Sequence, residues 1–176
     1  MGIEEKLAKA KSMLMMCLGN TCRSPAAEGF ARKFSRDFFK AADLKEINIA
    51  SAGLNDYFSH AQPYSVQFVK ELEGESINNH VPRRITKEIA DKFDIIIIME
   101  EYMKDRIQNC FPSIKGLKNK IFLLKEACIN EMNSKSLEIE DPYMSDKKYY
   151  FNIIKEIRDY TKCLVRKWAS NFKKEE

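Results

Sequence analysis

Four isoleucines in unbroken succession, Ile95 to Ile98 in the stretch FDIIIIME, limit the folds open to this chain more than any other feature. A β-branched run with no polar alternation reads as a short strand buried on both sides, which belongs in a sheet covered by helices above and below. Three further apolar runs have the same character: Met13 to Leu18, ending at a Gly19-Asn20 turn; INIAS at 47–51, before Gly53; and KIFLLK at 120–125. Helical patterns separate them. The first is expected to begin at Ser24 as N-cap, with Pro25 as the first helical residue, and to run to about Phe39. The second, PYSVQFVKELEG, stops at Gly74, and EEYMKDRIQNCF follows the isoleucines. Tyr150, Ile153, Ile154, Ile157, Leu164 and Trp168 then form the apolar stripe of a long closing helix. Strands alternating with helices predict an α/β fold with a parallel sheet.

Composition narrows the function classes. The 176 residues are 44% hydrophobic and 32% charged, enough for one domain with an unstapled core. We place that domain at 12–172, with residues 1–11 and 173–176 as solvated tails. The net charge of +4 is spread among interleaved Lys, Glu and Asp, which does not suggest nucleic acid. No apolar run nears the roughly 20 residues of a membrane span, and the charged start MGIEEKLAKAKS has no apolar centre, so a cytoplasmic location is expected. Five cysteines, an odd number, argue for free thiols, with Cys110, Cys128 and Cys163 as core or surface thiols. The cysteines lack metal-ligand spacing and His60 and His80 are isolated, so no metal and no cofactor are expected. Tyr149 and Tyr150 are candidate phosphorylation sites, although Tyr150 also belongs to the apolar stripe.

The chemistry gathers at CLGNTCRSPAAE, residues 17–28, at the carboxyl end of the first strand, where open α/β sheets bind ligands. If Gly19 and Asn20 let the backbone curl, the amides of Leu18, Gly19, Asn20, Thr21, Cys22 and Arg23 can turn inward to cradle an anion at a helix N-terminus. Arg23 adds a planar fork suited to two oxygens of a phosphate. Cys17, at the rim of that cradle, is the candidate nucleophile, with thiolate character expected from the helix end and the arginine. A hydroxyl at Ser24 can donate to it. Cysteine six residues before arginine is a weak signal alone, but with the Gly, Ser and Pro between and after them it is specific. Breaking a phosphate ester also needs a general acid, and EIEDPYM offers Asp141, fixed before Pro142 and followed by Tyr143, which can stack on a substrate ring.

These residues together resemble the low-molecular-weight protein tyrosine phosphatase family, whose signature is Cys-x-Gly-Asn-x-Cys-Arg-Ser-Pro-x-Ala-Glu with the acid in Asp-Pro-Tyr. SAG at 51–53, HVPRRITKE at 80–88 and MEE at 99–101 are similar to family segments, so the likeness covers about residues 12–170. The resemblance implies a three-layer α/β fold of the phosphotyrosine protein phosphatase I type. Its four-stranded parallel sheet has the order 2-1-3-4 with helices on both faces. It also implies hydrolysis of protein phosphotyrosine through a phosphocysteine on Cys17. Arg23 would hold the phosphate, and Asp141 would act as acid and then as base. Asn20, Ser24 and His80 would support the loop, while Leu18, Thr21, Tyr57 and Tyr143 would wall the substrate. Cys22 would form a reversible disulfide with Cys17 under oxidation. Phosphotyrosine-containing proteins would be the partners, and inorganic phosphate or other oxyanions the inhibitors.

Two departures bear on substrate. Met144 stands where many members have a second tyrosine. Thr21 stands where tyrosine phosphatases usually carry a bulkier aliphatic residue and relatives acting on phosphoarginine carry threonine. Protein arginine phosphatase activity is therefore the alternative. Arsenate reduction fits less well, because its relay needs two further cysteines close together and Pro25 departs from its usual glutamine. A phosphate-binding or redox module without turnover would not need the acid.

Overall fold

The computed structural model describes residues 2–132 and 134–172. A short helix α1 (Ile3–Leu7) leads into β1 (Ser12–Cys17), α2 (Arg23–Phe38), a single turn α3 (Ala41–Leu44), β2 (Asn48–Gly53) and α4 (Pro63–Glu73). Then follow α5 (Lys87–Lys92), β3 (Ile95–Ile98), α6 (Tyr102–Cys110), β4 (Ile121–Leu123) and the closing α7 (Lys147–Asn171). The strands form one parallel sheet in the order β2-β1-β3-β4, as expected.

The isoleucine run behaves as its composition requires. Ile95 and Ile97 face a core shared with Met13, Met15, Phe30, Phe34 and the α7 residues Ile154, Ile157 and Leu164. Ile96 and Ile98 face the other way, against Leu14, Met16, Met103 and Ile107. Each strand residue alternates sides, so a run apolar at every position needs a helix layer on both. Every residue of the expected stripe on α7 is buried, including Tyr150, which removes it as an accessible phosphorylation site. Among the described residues, no helix is long and apolar enough to cross a membrane.

The N-terminal segment departs from the reading as a tail. Ile3 and Leu7, one helical turn apart, are buried in the larger core, and Trp168 donates its Nε1–H to Ala10 O at 2.9 Å. Residue 1 and the expected tail at 173–176 lie outside the described residues.

The free-thiol expectation is also corrected in part. Cys128 and Cys163 form a disulfide, whereas Cys17, Cys22 and Cys110 are free. The bond joins the segment after β4 to α7, and Lys125 reinforces it. That buried lysine pairs with Glu156 at 2.6 Å and donates to Ser134 Oγ and Ser136 O. Both ties hold the stretch that leads to Asp141. With the cysteines 35 positions apart, chain entropy assigns the bond about 4 kcal/mol. Cys163→Ser should therefore lower the melting temperature by about 10 °C in calorimetry, and thiol reductant should lower the wild type by a similar amount. An unchanged transition in both would show that the bond adds nothing.

Candidate active site

Cys17 ends β1 opposite Gly53 of β2, and the chain from Leu18 to Cys22 then curls into α2. The carbonyls of this loop point outward. Cys17 O and Leu18 O accept from the amides of Leu54 and Asn55, and Thr21 O accepts from the Gln62 amide. Asn20 O lies 2.9 Å from His80 Nε2, which donates to it, and Cys22 O accepts from Ser65 Oγ. In a planar trans peptide the C=O of one residue and the N–H of the next point in opposite directions. Five outward carbonyls therefore turn the amides of Leu18, Gly19, Thr21, Cys22 and Arg23 the other way. That is the concave set of donors that suits an anion. Asn20 adopts the left-handed conformation that closes the curl, with φ 55°.

The side chain of Asn20 does further work. Its Nδ2 donates to Ser24 Oγ and Ser51 Oγ, each at 2.9 Å, and its Oδ1 accepts from the Arg83 amide. Ser24 Oγ, which accepts from Asn20, lies 3.0 Å from Cys17 Sγ, and its hydroxyl can donate to the sulfur. Ser51 similarly passes its proton to Glu28 Oε2. The expected N-cap role of Ser24 is thereby corrected. The helix begins at Arg23, no side chain caps it, and the Ser24 hydroxyl serves the sulfur instead. Asn20, Ser24 and His80 thus stand where support of the loop requires.

Arg23 is 1% exposed. Its Nη1 donates to Glu100 Oε2 and Ile139 O, and its Nη2 to Asp141 Oδ2, all at 2.8 Å. The Nε–H, on the same edge of the guanidinium as Nη2, has no hydrogen-bond partner among the described residues. A buried donor left open is expensive unless a ligand takes it, and this edge is the one that grips two oxygens of an anion. Burial acts to lower the Arg23 pKa, but Cys17, Asp141 and Glu100 outweigh it and raise the value above the ordinary one. Cys22 differs from its neighbour. Burial pushes its thiol up to about 11, against the opposing hydrogen bond from Tyr150, so it stays protonated at neutral pH.

Cys17, Arg23 and Asp141 line one cavity of about 490 Å³ together with Leu18, Thr21 and Tyr143. Tyr57 also lines it, as the sequence suggested, and so does Phe58, whose ring packs at 5.7 Å against Tyr143. Asp141 and Tyr143 are fixed to each other because the Tyr143 amide donates to Asp141 Oδ1. The arrangement has a sulfur, an anion cradle, a guanidinium edge, a carboxyl group and aromatic walls, which is what attack on a phosphoryl group attached to a ring needs.

A model of one protein family, low molecular weight phosphotyrosine protein phosphatase, matches residues 12–176. The chain belongs to that family. The human low molecular weight phosphotyrosine protein phosphatase is 35% identical over 133 residues, which are 76% of this chain and 80% of that protein. Among solved structures, the tyrosine phosphatase AmsI of Erwinia amylovora superposes with TM-score 0.71 at 25% identity, covering 94% of this chain and 95% of that one. The YwlE arginine phosphatase is similar too, with TM-score 0.71 and 25% identity over 90% of this chain and 93% of that one. In that structure serine replaces the active-site cysteine and is phosphorylated.

Several residues of the site lie in segments similar to the family's, SAG, HVPRRITKE and MEE, yet the sequence assigned them no role. Glu100 lies two residues beyond β3, beside the strand that ends in Cys17. The rule that ligands gather beyond the carboxyl ends of strands could have marked it. Ser51 and Arg83 meet Asn20 only across the sheet edge. The strand expected at 47–51 extends to Gly53, where a Cβ would stand 2.9 Å from Asn20 N, Leu18 O and Asn55 O, all backbone. Gly53→Ala must therefore shift the loop. With misplacement of the cradle by up to about 1 Å, kcat/KM for p-nitrophenyl phosphate should fall about 10²-fold. Activity within two-fold of wild type would show that the loop tolerates the methyl group.

Proposed function

We propose that the protein hydrolyses phosphotyrosine on proteins through a phosphocysteine intermediate. The supporting observation is the Nε–H of Arg23, without a hydrogen-bond partner among the described residues, in one aromatic-walled cavity with Cys17 and Asp141. In the first step Cys17 Sγ attacks phosphorus, the bond to the phenolic oxygen breaks, and Asp141 gives its proton to that oxygen. In the second, water attacks phosphorus and gives its proton to Asp141, the phosphorus–sulfur bond breaks, and inorganic phosphate and the Cys17 sulfur are released. The backbone cradle and Arg23 bear the charge on the phosphoryl oxygens throughout. Asn20, Ser24 and His80 hold the loop, and Leu18, Thr21, Tyr57 and Tyr143 position the ring. On this reading Cys22, a free thiol in the same loop, is the redox partner of Cys17. The partners are phosphotyrosine proteins in the cytoplasm, and phosphate and other oxyanions compete for the cradle. The domain is taken as residues 12–172 together with the α1 segment, whose Ile3 and Leu7 pack into its core.

A second reading is supported by Thr21, which lines the cavity, and by the likeness to the YwlE arginine phosphatase. Phosphoarginine would use the same steps with a guanidine leaving group. Matched peptides carrying phosphotyrosine or phosphoarginine decide between them. The first reading predicts kcat/KM at least about ten-fold higher for phosphotyrosine, with Thr21→Ile widening the gap. A preference for phosphoarginine that Thr21→Ile abolishes would establish the second.

A further inference from the structure

The apolar surface around the cavity continues past Tyr143. A second cavity of about 470 Å³ shares Tyr143 with the first and is lined by Pro63, Tyr64, Met144 and Tyr150. Its walls are set in place. The Tyr64 ring lies edge-on to Tyr150 at 5.4 Å and stacks on Phe68 at 5.6 Å. Tyr150 is buried, its hydroxyl bonded to Ser65, and its ring backs the cavity. Met144 is the unusual member. It is 87% exposed and holds a left-handed backbone, φ 63°, in the turn that carries Asp141 and Tyr143. That turn is closed by the Ser145 amide and hydroxyl, both donating to Pro142 O. A β-carbon residue in this conformation stores strain that folding alone does not call for. Here the conformation presents a large apolar side chain to solvent beside the site. Tyr57, Phe58, Tyr64 and Tyr143 are exposed around the same mouth, and apolar surface gathered in one place marks a contact surface.

Resting on the phosphotyrosine reading, we infer that this second cavity is a substrate subsite for an apolar side chain of the phosphorylated polypeptide, two residues from the phosphotyrosine. Continuity with the catalytic cavity through Tyr143 identifies the occupant, because a chain that delivers a phosphorylated ring to Cys17 and runs on past Tyr143 meets this opening next. The spacing follows from peptide geometry. Side chains on one face of an extended strand recur every two residues, roughly 7 Å apart. That is about the distance across one aromatic wall with a van der Waals contact of about 3.5–4.0 Å on each side. An adjacent residue would point to the opposite face.

The test scans leucine against alanine at each of the three positions on either side of phosphotyrosine in an otherwise fixed peptide. It compares the wild type with Met144→Lys, and p-nitrophenyl phosphate, which reaches only the catalytic cavity, serves as control. Leucine two residues away should raise wild-type kcat/KM about ten-fold. Met144→Lys should erase that preference and leave turnover of the control within two-fold. If phosphotyrosine peptides are hydrolysed with no leucine preference at any position, or with one that Met144→Lys retains, the subsite is refuted while the phosphotyrosine reading stands. If the control is hydrolysed and no phosphotyrosine peptide is, that reading falls and the subsite with it.

Discussion

Replacing Cys17 by serine is expected to lower kcat for any phosphate monoester by about 10⁴-fold or more, while leaving the fold and phosphate binding in place. The side chains differ in one atom at a position that is buried at the end of β1, so the transition temperature should move little. The chemistry changes far more. A serine hydroxyl must lose a proton to attack, and its site offers no base for that task. Ser24 Oγ, 3.0 Å from the sulfur, already accepts from Asn20 Nδ2 and, as a neutral hydroxyl, is no base. Asp141, engaged by Arg23 Nη2, is committed to the leaving group. The check is steady-state turnover of p-nitrophenyl phosphate together with phosphate affinity from calorimetric titration. Turnover within ten-fold of wild type would remove Cys17 from the reaction.

Arg23→Lys, which keeps the charge, should cost nearly as much, with kcat/KM down about 10³-fold. Three groups depend on the shape of the guanidinium. Nη1 ties Glu100 and Ile139 O together, and Nη2 holds Asp141. A lysine ammonium is a point charge with three rotating donors and cannot also present a planar edge toward phosphate. Asp141 would lose the partner that places it, so the leaving-group step should suffer alongside phosphate binding. Kinetics on aryl phosphates of graded leaving-group pKa separate these effects. A steeper dependence than wild type indicates a displaced acid, whereas an equal loss across the series indicates binding alone. Unchanged kcat/KM would contradict the role given to the fork.

What the sequence made legible was local. Ile95 to Ile98 announced a doubly covered strand because consecutive apolar residues face opposite sides. Cys17 to Ser24 announced an anion cradle because its parts are neighbours in the chain. Asp141 was found only by asking what a phosphate ester needs. The residues that escaped act across distance. Glu100 and Arg23 are 77 residues apart, and Gly53 matters through backbone atoms of a different loop. The disulfide joins cysteines 35 residues apart, a pairing that an odd cysteine count cannot disclose. Ile3 and Leu7 are too few to display a helical period, although their burial over α7 turns an expected tail into core. Ser24 carried two expected roles, and the structure keeps one: its hydroxyl lies 3.0 Å from Cys17 Sγ, but it caps no helix, because α2 already begins at Arg23.

The account rests on a covalent bond between the sulfur of residue 17 and phosphorus. Asp141→Asn makes that bond observable. An aryl phosphate with a good leaving group needs no acid for the first step, while the second step loses its base and slows. Mixing this variant with radiolabelled p-nitrophenyl phosphate, quenching within the first turnover and mapping the label by mass spectrometry should find one phosphoryl group per chain on Cys17, formed together with a burst of nitrophenol. Steady release of nitrophenol with no labelled protein, or label on any other residue, would contradict it.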